Sequence, residues 1–218
     1  LKYINVLIGL ALMGSLGAVW WFAWRVLPAT TGVISTGVHA PVAVTRDAED
    51  VPHIKAASIE DALFAQGYIT AQERIFQMDT MRRLAAGEMA AVYGGRALAS
   101  DLDMRRLRMR RTADMHARSL QPSERLYLAA YARGVNQYLQ ENAGRLPVEF
   151  TLLKYDPAPW SVADTVLAGL QMARTLSLGY REELLKRSLL EAGEPSLVNQ
   201  LFPLRTGLEP QPGSHAWA

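Results

Sequence analysis

The stretch Ser58 to Gly87, SIEDALFAQGYITAQERIFQMDTMRRLAAG, decides the fold of this chain. Ser58 stands where a helix N-cap is wanted, and Asp61 follows three residues on, an imperfect capping box. Ile59, Leu63, Phe64, Ala71, Ile75, Met78 and Met81 then recur at near-helical spacing. Gly87 suits the end of the helix, because a residue without a Cβ enters the left-handed region freely. The spacing therefore predicts one long helix with an apolar stripe.

Upstream, Val42, Val44 and Ile54 sit in short β-prone runs around the polar stretch 46–50, which reads as a hairpin. Pro52 limits the second strand to a start or an edge. Downstream, Tyr93-Gly94-Gly95 reads as a turn, and 101–119 as a very basic helix. Pro122-Ser123-Glu124 opens another helix that ends near Gly144, with Leu126, Ala130, Tyr131, Val135, Tyr138 and Leu139 as its apolar face. Residues 146–159 read as loop. Ser161 and Asp164 form a second cap pattern, and that helix runs on, with a break at Gly179, to about Gly193. The fold class is mostly α with a small β-hairpin.

Half of the 218 residues are apolar and a fifth are charged, which describes a globular chain. A net charge of +2 argues for neither nucleic acid nor an acidic partner. There is no cysteine, so thiol catalysis, disulfides and thiolate metal sites are excluded within the segment. His39, His53, His116 and His215 lack metal-ligand spacing. The arginines at 105, 106, 108, 110, 111 and 118 are interspersed with Asp101, Asp103 and Asp114, and read as a solvated helix surface rather than a nucleic-acid site.

Ile4 to Trp24 carries no charge, and its 21 residues would span about 30 Å as a helix, the thickness of a hydrocarbon core. Lys2 and Arg25 flank it, and Trp20, Trp21 and Trp24 cluster at one end. Residues 1–27 are expected to form a transmembrane signal anchor. A cleavable signal peptide is the rival, with Pro28-Ala29-Thr30 as a poor cleavage site. A Pro/Thr/Gly/Ser-rich linker follows over 28–37, then a folded region over 38–202 and an exposed tail over 203–213.

Four groups of residues, in order, resemble the penicillin acylase family. They are Val44-Thr45-Arg46-Asp47 with Val51-Pro52-His53-Ile54; then Phe64-Ala65-Gln66-Gly67-Tyr68, Ala71-Gln72-Glu73-Arg74, Phe76-Gln77-Met78-Asp79 and Arg82-Arg83; then Tyr131-Ala132-Arg133-Gly134-Val135-Asn136 with Leu146-Pro147-Val148-Glu149-Phe150 and Trp160; and last Gly213-Ser214-His215-Ala216-Trp217. Two departures stand out: Asp50 where the family usually has Gly, and His215 where it more often has Asn. The resemblance implies an αββα N-terminal-nucleophile hydrolase fold made of two chains cut from one precursor. Residues 38–202 would be α-chain, and 214–218 the start of a β-chain that supplies the rest.

The same resemblance implies chemistry. A hydroxyl needs a nearby base to attack an amide, and an N-terminal serine carries its own, an α-amine with a pKa of about 8. Breaking the Gly213–Ser214 bond would make Ser214 that nucleophile. The oxyanion donors would lie on the β-chain, so this chain alone would be inactive. Glu182 would bind calcium together with β-chain carboxylates. Calcium takes six to eight oxygens, so one Glu makes no site by itself, and two solvated helix glutamates, Glu182 and Glu183, fit the residues equally well. Met172 and Leu176 would line the acyl pocket, although plain core packing explains residues four apart on a helix too. Thr175 replaces a charged residue of some relatives, so a penicillin G preference does not carry over.

The expected function is hydrolysis of N-acyl amides, such as β-lactam side chains or acyl-homoserine lactones, without a catalytic cofactor. The expected partners are the chain's own β-chain, a small N-acyl substrate and, through the anchor, the inner membrane, with the catalytic part exported to the periplasm or outside the cell. The competing expectation is a membrane-anchored helical scaffold that lacks catalysis.

Overall fold

The computed structural model describes residues 2–25, 27, 33, 37–177 and 179–203. They form two compact units, divided between Gln171 and Met172. The first contains α1 (Lys2–Val19), a π turn (Trp20–Trp24), β1 (Ala43–Arg46), β2 (Pro52–Lys55), α2 (Ile59–Ala86), α3 (Ala90–Tyr93), α4 (Leu98–Leu107), α5 (Met109–Ser119), α6 (Pro122–Glu141) and α7 (Val148–Leu153). Helix α8 (Val162–Leu176) begins in the first unit, and α9 (Tyr180–Glu191) and α10 (Pro195–Leu201) belong to the second.

The hairpin forms as its residues dictate. β1 and β2 pair antiparallel with Ala43 opposite Lys55 and Arg46 opposite Pro52, so the proline opens its strand. Asp50 takes φ +63°, a left-handed turn conformation that Asp tolerates better than most residues. The Asp47 carboxylate accepts bonds from the Glu49 and Val51 amides and so closes the turn.

Helix α2 starts where Ser58 Oγ accepts a bond from the Asp61 amide at 3.0 Å, and ends at Gly87 with φ +70°. Its apolar stripe is only partly the one the spacing predicted. Phe64, Ala71 and Ile75 are buried, but Ile59 is 61 % exposed, and Tyr68 and Ile69 are buried instead. A break in helical geometry at Arg74 (φ −142°) rotates the second half relative to the first, which a single 3.6-residue period cannot follow. Asp61 does not close the capping box either. Its buried carboxylate accepts from the backbone amides of His39 and Ala40, tying the segment ahead of β1 to the helix start.

Helices α2 and α6 meet through two glycines. A Cβ on Gly67 would lie 2.1 Å from the Tyr131 carbonyl oxygen, and one on Gly134 would lie 2.0 Å from that of Phe64. Only bare backbones pack this closely. Around this contact lies the main core of Tyr68, Ala71, Ile75, Val135, Tyr138, Phe150 and Trp160. Leu126, expected on the inner face of α6, is exposed. A second cluster joins Ala85 and Ala86 to Met104, Met109, Ala113 and Leu167.

Three further expectations are corrected. The segment 101–119 is not one helix: it breaks at Arg108, which sits at φ +54° between α4 and α5. The 146–159 loop contains α7, which exists because Phe150 is drawn into the core against Phe76 and Tyr155. Finally, no helix among the described residues is long and apolar enough to cross a membrane. Helix α1 has 18 residues, about 27 Å of α-helix, before the backbone leaves α geometry at Trp20. The transmembrane anchor expected over 1–27 has no support among the described residues.

Candidate functional site

The most elaborate polar arrangement in the first unit lies between α2 and the start of α8. Ser161 caps α8 by accepting from the Asp164 amide at 3.2 Å, and Asp164 returns the favour by accepting from the Ser161 amide at 2.8 Å. This is the full capping box the sequence predicted. The same carboxylate accepts from Arg110 at 2.7 Å and Arg82 at 3.4 Å. Arg82 is the hub. It pairs with the wholly buried Asp79 and donates to the carbonyls of Ala158 and Pro159 at 3.0 and 3.1 Å. It also lies over the Trp160 ring, 5.3 Å from the centroid. Asp79 additionally accepts from Arg83 at 2.7 Å and from the Tyr155 hydroxyl at 2.9 Å.

Arg82, Arg83 and Arg110 surround Asp79 and Asp164, and each buried carboxylate has a guanidinium partner. Burial pushes the Asp164 carboxyl up, but the Ser161 hydroxyl and Arg110 outweigh it and hold it below the usual carboxylate range. Burial, then the bond to Asp79, pushes the Tyr155 phenol well above its ordinary value. The oxygens of both carboxylates are taken up by guanidinium, hydroxyl and amide donors, an arrangement suited to holding elements together. The cluster fastens the 155–160 segment and the first turn of α8 to α2. Its one local signal is an Asp with arginines three and four residues on, close to Ala85 and Ala86. That spacing occurs equally on solvated helix faces.

Beside the α2 break lies an open cavity of about 290 Å³ lined by Pro52, Ile54, Gln66, Ile69, Thr70, Glu73 and Arg74. Glu73 is held by Arg46 at 2.6 Å, and the cavity contains no histidine, serine or cysteine. Among the described residues no group of three or more His, Asp or Glu is arranged to hold a metal.

The residues singled out from the sequence fall largely elsewhere. Gly213 and Ser214 lie outside the described residues. In the second unit, Met172 and Leu176 are 52 % and 78 % exposed, so they present apolar surface rather than filling that unit's core. Glu182 and Glu183 occupy the first turn of α9, where carboxylates face the positive end of the helix dipole. Glu183 pairs with Lys186 at 2.7 Å, while Glu182 is exposed and makes no ion pair among the described residues.

A family model described as penicillin amidase matches residues 41–218. The chain belongs to this family. Among its relatives, an acyl-homoserine lactone acylase of Pseudomonas aeruginosa is 33 % identical over 83 % of this chain and 22 % of the relative. A penicillin acylase 2 proenzyme of a Pseudomonas species is 41 % identical over 62 % of this chain and 17 % of the relative. The chain thus spans about a fifth of the length of these family members. A solved structure of a thermostable penicillin G acylase from Alcaligenes faecalis matches with a TM-score of 0.62 and 29 % identity. That match covers 79 % of this chain and 96 % of the other, so the helical architecture described above is that of a family subunit.

Proposed function

We propose that this chain is the helical part of an amidohydrolase precursor whose Gly213–Ser214 bond is cut to free Ser214 as an N-terminal nucleophile. The observation that carries this reading is the extent of the family match, which runs through both sides of that bond and on to Ala218. Ser214 Oγ attacks the Gly213 carbonyl, the peptide nitrogen leaves as the Ser214 amine, and an ester links the two residues. Water opens the ester and returns the hydroxyl. Gly213 favours the attack because no Cβ shields its carbonyl. In the mature enzyme the Ser214 amine takes the hydroxyl proton, Oγ attacks the substrate amide, and the acyl-enzyme is released by water.

The substrate class is an N-acyl amide with an apolar acyl group. The relatives named as acyl-homoserine lactone acylases and penicillin acylases support an acylated lactone or β-lactam amine, the former giving a quorum-quenching role. Met172 and Leu176, exposed and one turn apart, offer apolar surface to the acyl chain. The partner is the chain's own β-chain, which supplies the oxyanion donors; the chain by itself is inactive. Glu182 fits a structural calcium in one respect, an exposed carboxylate with no ion pair among the described residues, and supplies at most two of the six to eight oxygens required. The remainder come from the β-chain, and no chemical step passes through the metal. The apolar leading segment supports export from the cytoplasm.

The test is intact-mass analysis of the full-length protein and its Ser214→Ala variant. The wild type should yield two chains, the second beginning at Ser214, and the variant a single uncut, inactive chain. Normal two-chain cleavage in the variant would overturn the assignment.

A further inference from the structure

The arginine run that straddles α4 and α5 divides in two. Arg105 donates to the Gly87 carbonyl, Arg106 pairs with Asp103, and Arg110 pairs with Asp164. Arg108, Arg111 and Arg118 have no acidic partner among the described residues and are all exposed. With Met115 they are spaced three, four and three residues apart, which places them on one stripe of α5 and its N-cap. The stripe lies opposite Met109, Ala113 and Ala117, which are buried. Met115 is 54 % exposed, and Leu107, next to Arg108, is 51 % exposed.

Three uncompensated guanidinium groups flanked by protruding aliphatic side chains need a partner with two properties: negative charge and an apolar layer just beneath it. Nucleic acid meets only the first, and single strands are held by aromatic stacking that this stripe lacks. We propose that the outer stripe of α5 docks peripherally on an anionic phospholipid surface. Arg108, Arg111 and Arg118 meet the headgroup phosphates, while Met115 and Leu107 enter the boundary with the acyl chains. The contact is independent of α1 and of catalysis.

Each basic side chain near such a surface strengthens partitioning about fivefold, so removing three should weaken it about a hundredfold. The experiment is co-sedimentation of the full-length protein with vesicles of phosphatidylcholine alone or mixed with phosphatidylglycerol. Arg108→Gln/Arg111→Gln/Arg118→Gln is compared with wild type; all three side chains are exposed, so the fold is retained. A second readout is Met115→Cys carrying an environment-sensitive dye, residues 1–218 contributing no other cysteine and any beyond them being replaced by Ser. Expected are binding to the anionic vesicles only, loss at about 1 M salt, a hundredfold drop in the triple variant, and a blue shift of the dye on anionic vesicles. Equal binding to neutral vesicles, an unaffected triple variant, or a dye that stays silent while the protein sediments would each overturn the proposal. So would a dye already shielded without vesicles, which would show that another part of the protein covers the stripe.

Discussion

Gly134 in α6 tests the close helix contact at the centre of the first unit. Replacing it with Ala places a Cβ 2.0 Å from the Phe64 carbonyl oxygen and 2.8 Å from the Tyr68 nitrogen. Both neighbours are backbone atoms of α2 and cannot rotate away. Ordinary van der Waals contact begins at 3.4 Å, so the helices must part by roughly 1.4 Å, in a core that tolerates little change in volume. Overpacking of this kind costs about 1–3 kcal/mol, and the immovable partner puts Gly134→Ala at the upper end. Alanine's better helix propensity returns about 1 kcal/mol. The net expected loss is about 2 kcal/mol, a fall of about 4–8 °C in Tm for a chain of this size. Gly169 in α8 is the control: a Cβ there meets nothing within 4 Å, so Gly169→Ala should stabilise by up to about 1 kcal/mol. Thermal and urea unfolding followed by circular dichroism of both variants decides the matter. A Gly134→Ala protein that melts at or above wild type would refute the reasoning.

Other expectations follow from the buried charges and the caps. Arg82→Met leaves Asp79 and Asp164 without their shared cation and should cost about 3–5 kcal/mol in urea unfolding; a loss under about 1 kcal/mol would show that the hub holds nothing. Because the Asp164 carboxyl is depressed in the folded state, its stabilisation is complete above the unfolded value of about 3.9 and is lost as pH falls through the lower folded value. Asp164→Asn should therefore flatten stability against pH below about pH 4, and an unchanged acid limb would contradict this. Ser58→Ala removes the N-cap bond of α2 and should cost about 1 kcal/mol, with Ser58→Gly costing less. In the processed enzyme, Glu182→Gln should lower bound calcium measured by elemental analysis, whereas Glu183→Gln, whose carboxylate is taken by Lys186, should not.

Local chemistry was legible in the residues themselves. The hairpin, Pro52 at the head of its strand, the Ser58 cap, the Gly87 terminator and the Ser161–Asp164 box depend on neighbours a few positions away, and all appear where the spacing placed them. The family was legible too, since its motifs are contiguous runs. The candidate nucleophile rests on such a run at Gly213-Ser214, which lies outside the described residues.

What the sequence could not determine were features made by distant partners. The apolar stripe of α2 changes face at Arg74, Phe150 turns a nominal loop into a helix, and Asp61 abandons its own capping box for the His39 and Ala40 amides. Gly67 and Gly134 show their purpose only when α2 and α6 are brought together, as do Arg82 and Asp164, which stand 82 positions apart in the chain. Periodicity reports what a backbone prefers over one or two turns. Which face is then buried, and which ion meets which, depends on desolvation by segments remote in the chain, and that is set only in the folded state.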